Sequence, residues 1–168
     1  MTDQPVRDLG EMRAVRGEQV GLWRTLGYRL DSWAAGRSVV SWDATADYGF
    51  ATGGGYVVQG GLVTALLDAA MGGACWTVLT AQAFLTADLR VEFLRSAPAG
   101  RLIATGWVVR ATPRVVFCAG DLHDDAGTLL ASSRCTQVVL PAEHRGQRAT
   151  GASSVDGAGD QSAPAPGS

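Results

Sequence analysis

Residues 59–80 read QGGLVTALLDAAMGGACWTVLT, and from Leu62 to Leu79 they are apolar or small nearly all the way round. That pattern predicts a helix enclosed on every side, because a surface helix would keep one polar face for water. Gly72 and Gly73 lie inside it, and each costs about 1 kcal/mol relative to alanine in a helix. Close approach of a sheet or a second helix is the offsetting reason that glycine offers there. At the start of the segment stand Gln59, Gly60 and Gly61. First-turn amides have no partner within a helix and face the positive end of its dipole, which suits an oxygen carrying developing negative charge.

Downstream, the hydrophobic period changes from 3.6 to 2. Leu85, Ala87, Leu89, Val91 and Phe93 alternate with Thr86, Asp88, Arg90 and Glu92, which predicts a strand with one apolar and one polar face. A turn at SAPAG (96–100), strands over 102–111 and 114–123 around Thr112 and Pro113, the hairpin signal DDAG (124–127) and a last strand over 129–140 complete a meander. Upstream, WRTLGYRLDSW (23–33) and RSVVSWDA (37–44) flank Ala34, Ala35 and Gly36 and predict a hairpin, while 51–55 reads as a glycine-rich loop. One long helix among antiparallel strands defines the α+β class.

The chain has 168 residues, 46% of them apolar, which suits one domain with a sizeable core. That domain is expected over 20–141. A polar segment precedes it at 1–19, with loose helical spacing of Leu9, Met12, Val15 and Val20. A tail at 142–168, built of Ala, Gly, Ser, Pro and polar residues, has too little apolar surface to order itself. All fourteen cations are arginines against sixteen acidic residues, for a net charge of -2. A nucleic-acid footprint is not expected, and lysine Schiff-base and P-loop chemistry are excluded. Cys75, Cys118 and Cys135 sit in apolar runs and read as buried, reduced thiols. No stretch reaches the roughly 18 uninterrupted apolar residues of a membrane span, and the first twenty residues are too charged for a signal peptide, so a cytoplasmic protein without membrane attachment is the expectation.

Asp68 is the residue whose placement demands chemistry. It is a carboxylate in mid-helix among Leu66, Leu67, Ala69, Ala70 and Met71, with no arginine at i±3 or i±4. Burying it unpaired costs several kcal/mol, so it faces a solvated edge, meets an arginine from a strand, or serves as a base or nucleophile. His123 and His144 have no partner set for a metal or a Ser-His-Asp arrangement, and no GxSxG elbow is present.

The segment VVQGGLVTALLDAAMGGAC resembles the HGG-xxxxxx-D signature of hotdog-fold acyl-CoA thioesterases of the PaaI-like, phenylacetate-degradation group. FLTADLRVEFLR, LGYRL, the PAG turn and DDAGTLLASS follow in family order, so the resemblance spans roughly 23–140. It implies a hotdog fold, one long central helix wrapped by a curved antiparallel sheet, in homodimers joined edge to edge or homotetramers, with active sites between subunits. It further implies that Asp68 is the catalytic carboxylate, that the Gly60 amide polarises the thioester carbonyl, and that Thr86 holds the attacking water. Gln59 replaces the family's usual histidine, keeping a hydrogen-bond donor but no group that titrates near neutrality. Gly53 replaces a frequent asparagine. Substrate contacts are expected from Gly61, Gly53, Trp76, Arg90 and Arg95, the arginines toward coenzyme A phosphates. The implied reaction is hydrolysis of an aromatic or medium-chain acyl-CoA, with no metal or redox cofactor. The rival readings are a hotdog protein that binds an acyl thioester without cleaving it, and a thioesterase acting on carrier-protein thioesters.

Overall fold

A computed structural model describes residues 21–79 and 83–141; the polar segment at 1–19 and the tail at 142–168 lie outside the described residues. The elements run α1 (Gly21–Leu26), β1 (Arg29–Ala34), β2 (Arg37–Ala44), a 3-10 turn (Ala46–Tyr48), β3 (Gly49–Thr52), β4 (Gly55–Val58), α2 (Gly60–Val78), β5 (Phe84–Phe93), β6 (Gly100–Ala111), β7 (Val115–Asp124) and β8 (Leu129–Val139). Six strands form one antiparallel sheet in the order β1-β2-β6-β7-β8-β5, with β3 and β4 paired apart from it. The curved sheet wraps α2, which packs chiefly on β6 and β2 and then on β7. This is the hotdog architecture.

A row of small residues explains how closely the helix lies. Ser38, Gly106, Gly120 and Ser133 are successive cross-strand neighbours on β2, β6, β7 and β8. A Cβ on Gly106 would fall 2.6 Å from the Met71 nitrogen and closer still to the Ala70 carbonyl. The Ser38 hydroxyl donates to the Ala70 carbonyl at 2.6 Å, and Ser133 Oγ donates to the Gly120 carbonyl at 3.1 Å. At the other end Tyr28 OH donates to the Leu62 carbonyl at 3.1 Å, within an edge-on aromatic run of Trp23, Tyr28 and Trp42. The close approach of the sheet falls at Ala70 and Met71, one turn or less before Gly72 and Gly73, which are both buried. α2 is long and apolar enough to cross a bilayer by composition, and here that apolar surface is spent against the sheet.

Four expectations change. Residues 23–26 are helical, because Trp23 and Leu26 bury one face at i, i+3 spacing and Gly27, at φ +77°, ends the turn with its amide on the Trp23 carbonyl at 2.8 Å. The glycine-rich loop is the tip of a short hairpin, β3–β4, closed by the Thr52 hydroxyl on the Gly55 carbonyl at 2.8 Å. The helix is not enclosed on every side: Thr64, Ala65, Asp68, Ala69 and Trp76 form a half-buried stripe that continues to exposed Gly61, because one sheet covers only one side of it. Finally, β5 does not keep one phase. Thr86 pairs with Gln137 and Asp88 with Thr136, so Ala87 is an extra residue, a β-bulge. Before the bulge Thr86 faces α2 and Leu85 lies half exposed beside Val138; after it Leu89, Val91 and Phe93 stand opposite Cys135, Ser133 and Ala131 on the helix side.

Candidate active site

Asp68 projects from the half-buried stripe of α2 and meets Thr86 of β5. The Thr86 hydroxyl lies 2.9 Å from Asp68 Oδ1 and 3.0 Å from the side-chain amide of Gln137. The Gln137 amide in turn lies 3.3 Å from Cys135 Sγ. Among the described residues no arginine forms an ion pair with Asp68. It is thus a carboxylate held by a hydroxyl at the rim of the core, and the strand cation that would have made it a structural pair is missing.

The first turn of α2 is a second polar feature. The Gln59 amide donates to the Tyr48 carbonyl at 2.9 Å, but the Gln59 side chain makes no capping bond, which leaves the Gly60 and Gly61 amides for a ligand. Beside Gly60 opens a cavity of about 430 Å³, walled by Phe50, Val57, Val63, Phe93 and Leu130 with Arg95 at its edge. The Phe93 ring lies against Gly60, 3.3 Å from where a Cβ would sit. Arg95 Nη1 donates to the Leu129 carbonyl at 2.9 Å, which fixes the guanidinium there.

The structure thus brings Thr86 to Asp68, and Arg95 to the cavity at Gly60. Gly53 stays at the exposed tip of the β3–β4 hairpin. Trp76 packs on Phe84, centroids 6.0 Å apart, sixteen residues beyond Gly60 and so about 24 Å along the helix. Arg90 stands on the outer face with Glu92 at 3.0 Å, and Arg101 pairs with Asp31 at 3.3 Å. Gln137, Phe50 and Phe93 were not singled out from sequence. The signal for Gln137 is present: Ala131, Ser133, Cys135, Gln137 and Val139 alternate as the buried face of β8, and only one of them carries an amide.

All three cysteines are free and buried. Cys118 is pulled down by a hydrogen bond from Cys135 and pushed up by one to Cys75 and by burial, ending at about 12. Cys135 is raised too, by its bond to Cys118 and by burial. Among the described residues no three His, Cys, Asp or Glu side chains converge as a metal-ligand set.

Residues 55–131 match the family model of the thioesterase superfamily. Among solved structures, a phenylacetic acid degradation-related protein from Ralstonia eutropha JMP134 is 30% identical, with TM-score 0.66 over 76% of this chain and 97% of that one. The PaaI protein of the phenylacetic acid degradation operon of E. coli is 22% identical, with TM-score 0.71 over 79% and 93% of the two chains. A thioesterase from Haemophilus influenzae is 16% identical, with TM-score 0.70 over 81% and 92%. No curated protein sequence matches. The chain belongs to the thioesterase superfamily, whose common chemistry is thioester hydrolysis.

Proposed function

We propose that the protein is a homo-oligomeric acyl-CoA thioesterase in which Asp68 and the Gly60 amide act from different protomers. Eight residues of helix separate the two, about 12 Å along the axis, so one thioester carbonyl cannot touch both within a single chain. Two α2 helices running antiparallel bring Gly60 of one beside Asp68 of the other. Two features support that pairing: among the described residues β5 is hydrogen-bonded on one side only, by β8, and a stripe of α2 stays half-buried in the single chain.

The carbonyl oxygen accepts from the Gly60 amide at the positive helix end, which favours the negative charge of the tetrahedral intermediate. Asp68, oriented by Thr86, removes a proton from water as it attacks the carbonyl carbon, or attacks that carbon itself. The C–S bond then breaks and the sulfur of coenzyme A leaves as the thiol, taking the proton that Asp68 removed; where Asp68 attacks directly, the sulfur takes its proton from solvent and water then hydrolyses the acyl-aspartyl anhydride to the free acid. The apolar walls of the cavity at Gly60, with their two phenylalanines, favour an aromatic or medium-chain acyl group, and Arg95 favours an anionic portion of coenzyme A.

The observation that carries this reading is the hydrogen bond from Thr86 to Asp68, a carboxylate with no ion-pair partner among the described residues. The experiment is Asp68→Asn with thiol release followed on aromatic and straight-chain acyl-CoAs. A loss of about a hundredfold or more in kcat is expected, and unchanged turnover overturns the assignment. Binding without turnover by the wild-type protein would favour the non-hydrolytic reading instead, to which Gln59 in place of histidine points. Faster turnover of phosphopantetheinyl-protein thioesters would favour the carrier-protein one.

A further inference from the structure

Gln137 is fully buried on the helix side of β8, directly opposite Thr86 in the β5–β8 register. The Thr86 hydroxyl lies 3.0 Å from Gln137 Oε1 and Gln137 Nε2 lies 3.3 Å from Cys135 Sγ, while the same hydroxyl lies 2.9 Å from Asp68 Oδ1. A hydroxyl has one proton and cannot donate fully to both the Asp68 carboxylate and an amide oxygen. Side-chain amide oxygen and nitrogen have the same shape, so the network decides which faces which way.

One arrangement satisfies every group. Gln137 Nε2–H donates to Thr86 Oγ1, the Thr86 proton goes wholly to Asp68 Oδ1, and the Cys135 thiol donates to Gln137 Oε1. Burial keeps the Cys135 thiol protonated, and its one proton turns from Cys118 to Gln137 Oε1 while Cys118 still donates to Cys75. The reverse orientation asks one proton to serve two oxygens beside a fully buried amide, where an unmade hydrogen bond is costly.

We infer that Gln137 is a positioning residue whose Nε2 fixes the direction of the Thr86 hydroxyl and, through it, of the Asp68 carboxylate. One oxygen of that carboxylate is then tied to Thr86 and the other is left toward the water or thioester. Gln137 touches no substrate. The inference rests on the reading of Asp68 and Thr86 as the reacting pair, and its test separates the two claims.

In the wild-type protein with ¹⁵N-labelled glutamine side chains, the Gln137 amide protons should give strong NOEs to the Thr86 β and methyl protons. NOEs to Cys135 alone overturn the orientation, whatever the activity. For the role, Gln137→Met keeps the volume and removes the donor. It should lower kcat about tenfold on the best acyl-CoA substrate with KM unchanged, and it should have no further effect in a Thr86→Val background, because it acts only through that hydroxyl. Losses that multiply across the double mutant, or a change confined to KM, overturn it. Should Gln137→Met not fold, the NOE pattern still decides the orientation. Should Asp68→Asn retain full turnover, the thioesterase assignment fails while the amide direction is settled independently.

Discussion

Replacing Gly106 by alanine tests whether the row of small residues beneath α2 sets the position of the site. The added Cβ would meet the Ala70 carbonyl and the Met71 nitrogen, both helix backbone, where an ordinary contact begins at 3.4 Å. Backbone cannot rotate away as a side-chain tip can, so the helix must retreat from β6 by about 1 Å or the strand must bow outward. Retreat stretches the Ser38–Ala70 bond and carries Asp68, two residues earlier on the helix, away from Thr86. Overpacking of a tight core costs about 1–3 kcal/mol, and a clash with backbone belongs at the upper end. At about 2–4 °C per kcal/mol for a chain of this size, Tm should fall by roughly 6–12 °C. Misplacing a catalytic group by about 1 Å costs on the order of a hundredfold in rate, so with Asp68 in the role proposed for it the folded fraction should cleave its thioester substrate far more slowly. Calorimetry and steady-state thiol release read both effects. Gly21→Ala is the control, since nothing lies within 4 Å of its Cβ position, and it should leave both unchanged. A Gly106→Ala protein that melts within about 2 °C of wild type and keeps its kcat would refute the reasoning.

Two further expectations concern other parts of the molecule. Thr86→Ser keeps the hydroxyl and should retain turnover within about threefold, whereas Thr86→Val should lose about tenfold or more in kcat; equal activity of the two would mean that the hydroxyl has no role. Stability should fall in alkali. Unfolded thiols ionise near 9.0 while folded Cys118 holds its proton to about 12, so the unfolded state releases protons first. The contribution is complete below pH 9 and is lost as pH rises toward 12, with Cys135 and buried Tyr28 acting in the same direction. Denaturant melts at pH 8 and 10.5 should differ, and Cys118→Ala should reduce the difference.

The meander was legible because β6, β7 and β8 are runs of strand-favouring residues set apart by turn signals and DDAG closes as a hairpin, the Thr128 amide donating to the Asp124 carboxylate at 2.7 Å; the register shifts at Val108/Arg110 and Leu122/His123 were not. The long helix was legible from composition. Asp68 stood out because a charge in such a run has few explanations, and Thr86 came from resemblance. What escaped the sequence depends on partners far along the chain. The phase of β5 is set by its pairing with β8, and its period-2 pattern carries no mark of the bulge. Residues 23–26 contain strand-favouring Trp and Thr, yet Gly27 and the burial of Trp23 and Leu26 decide for a helix. Gly106 and Gly120 look like ordinary glycines until the helix is laid across them. The network through Gln137 joins positions 51 residues apart, a distance no local pattern spans.

The inserted Ala87 also gives β5 a division of labour. A regular strand would have to place its hydroxyl and its greasy wall on opposite faces, whereas the one-residue slip puts both on the same side. Deleting that one alanine would turn the apolar half of the strand toward water and draw Arg90 and Glu92 inward, so one exposed residue governs what the whole edge presents.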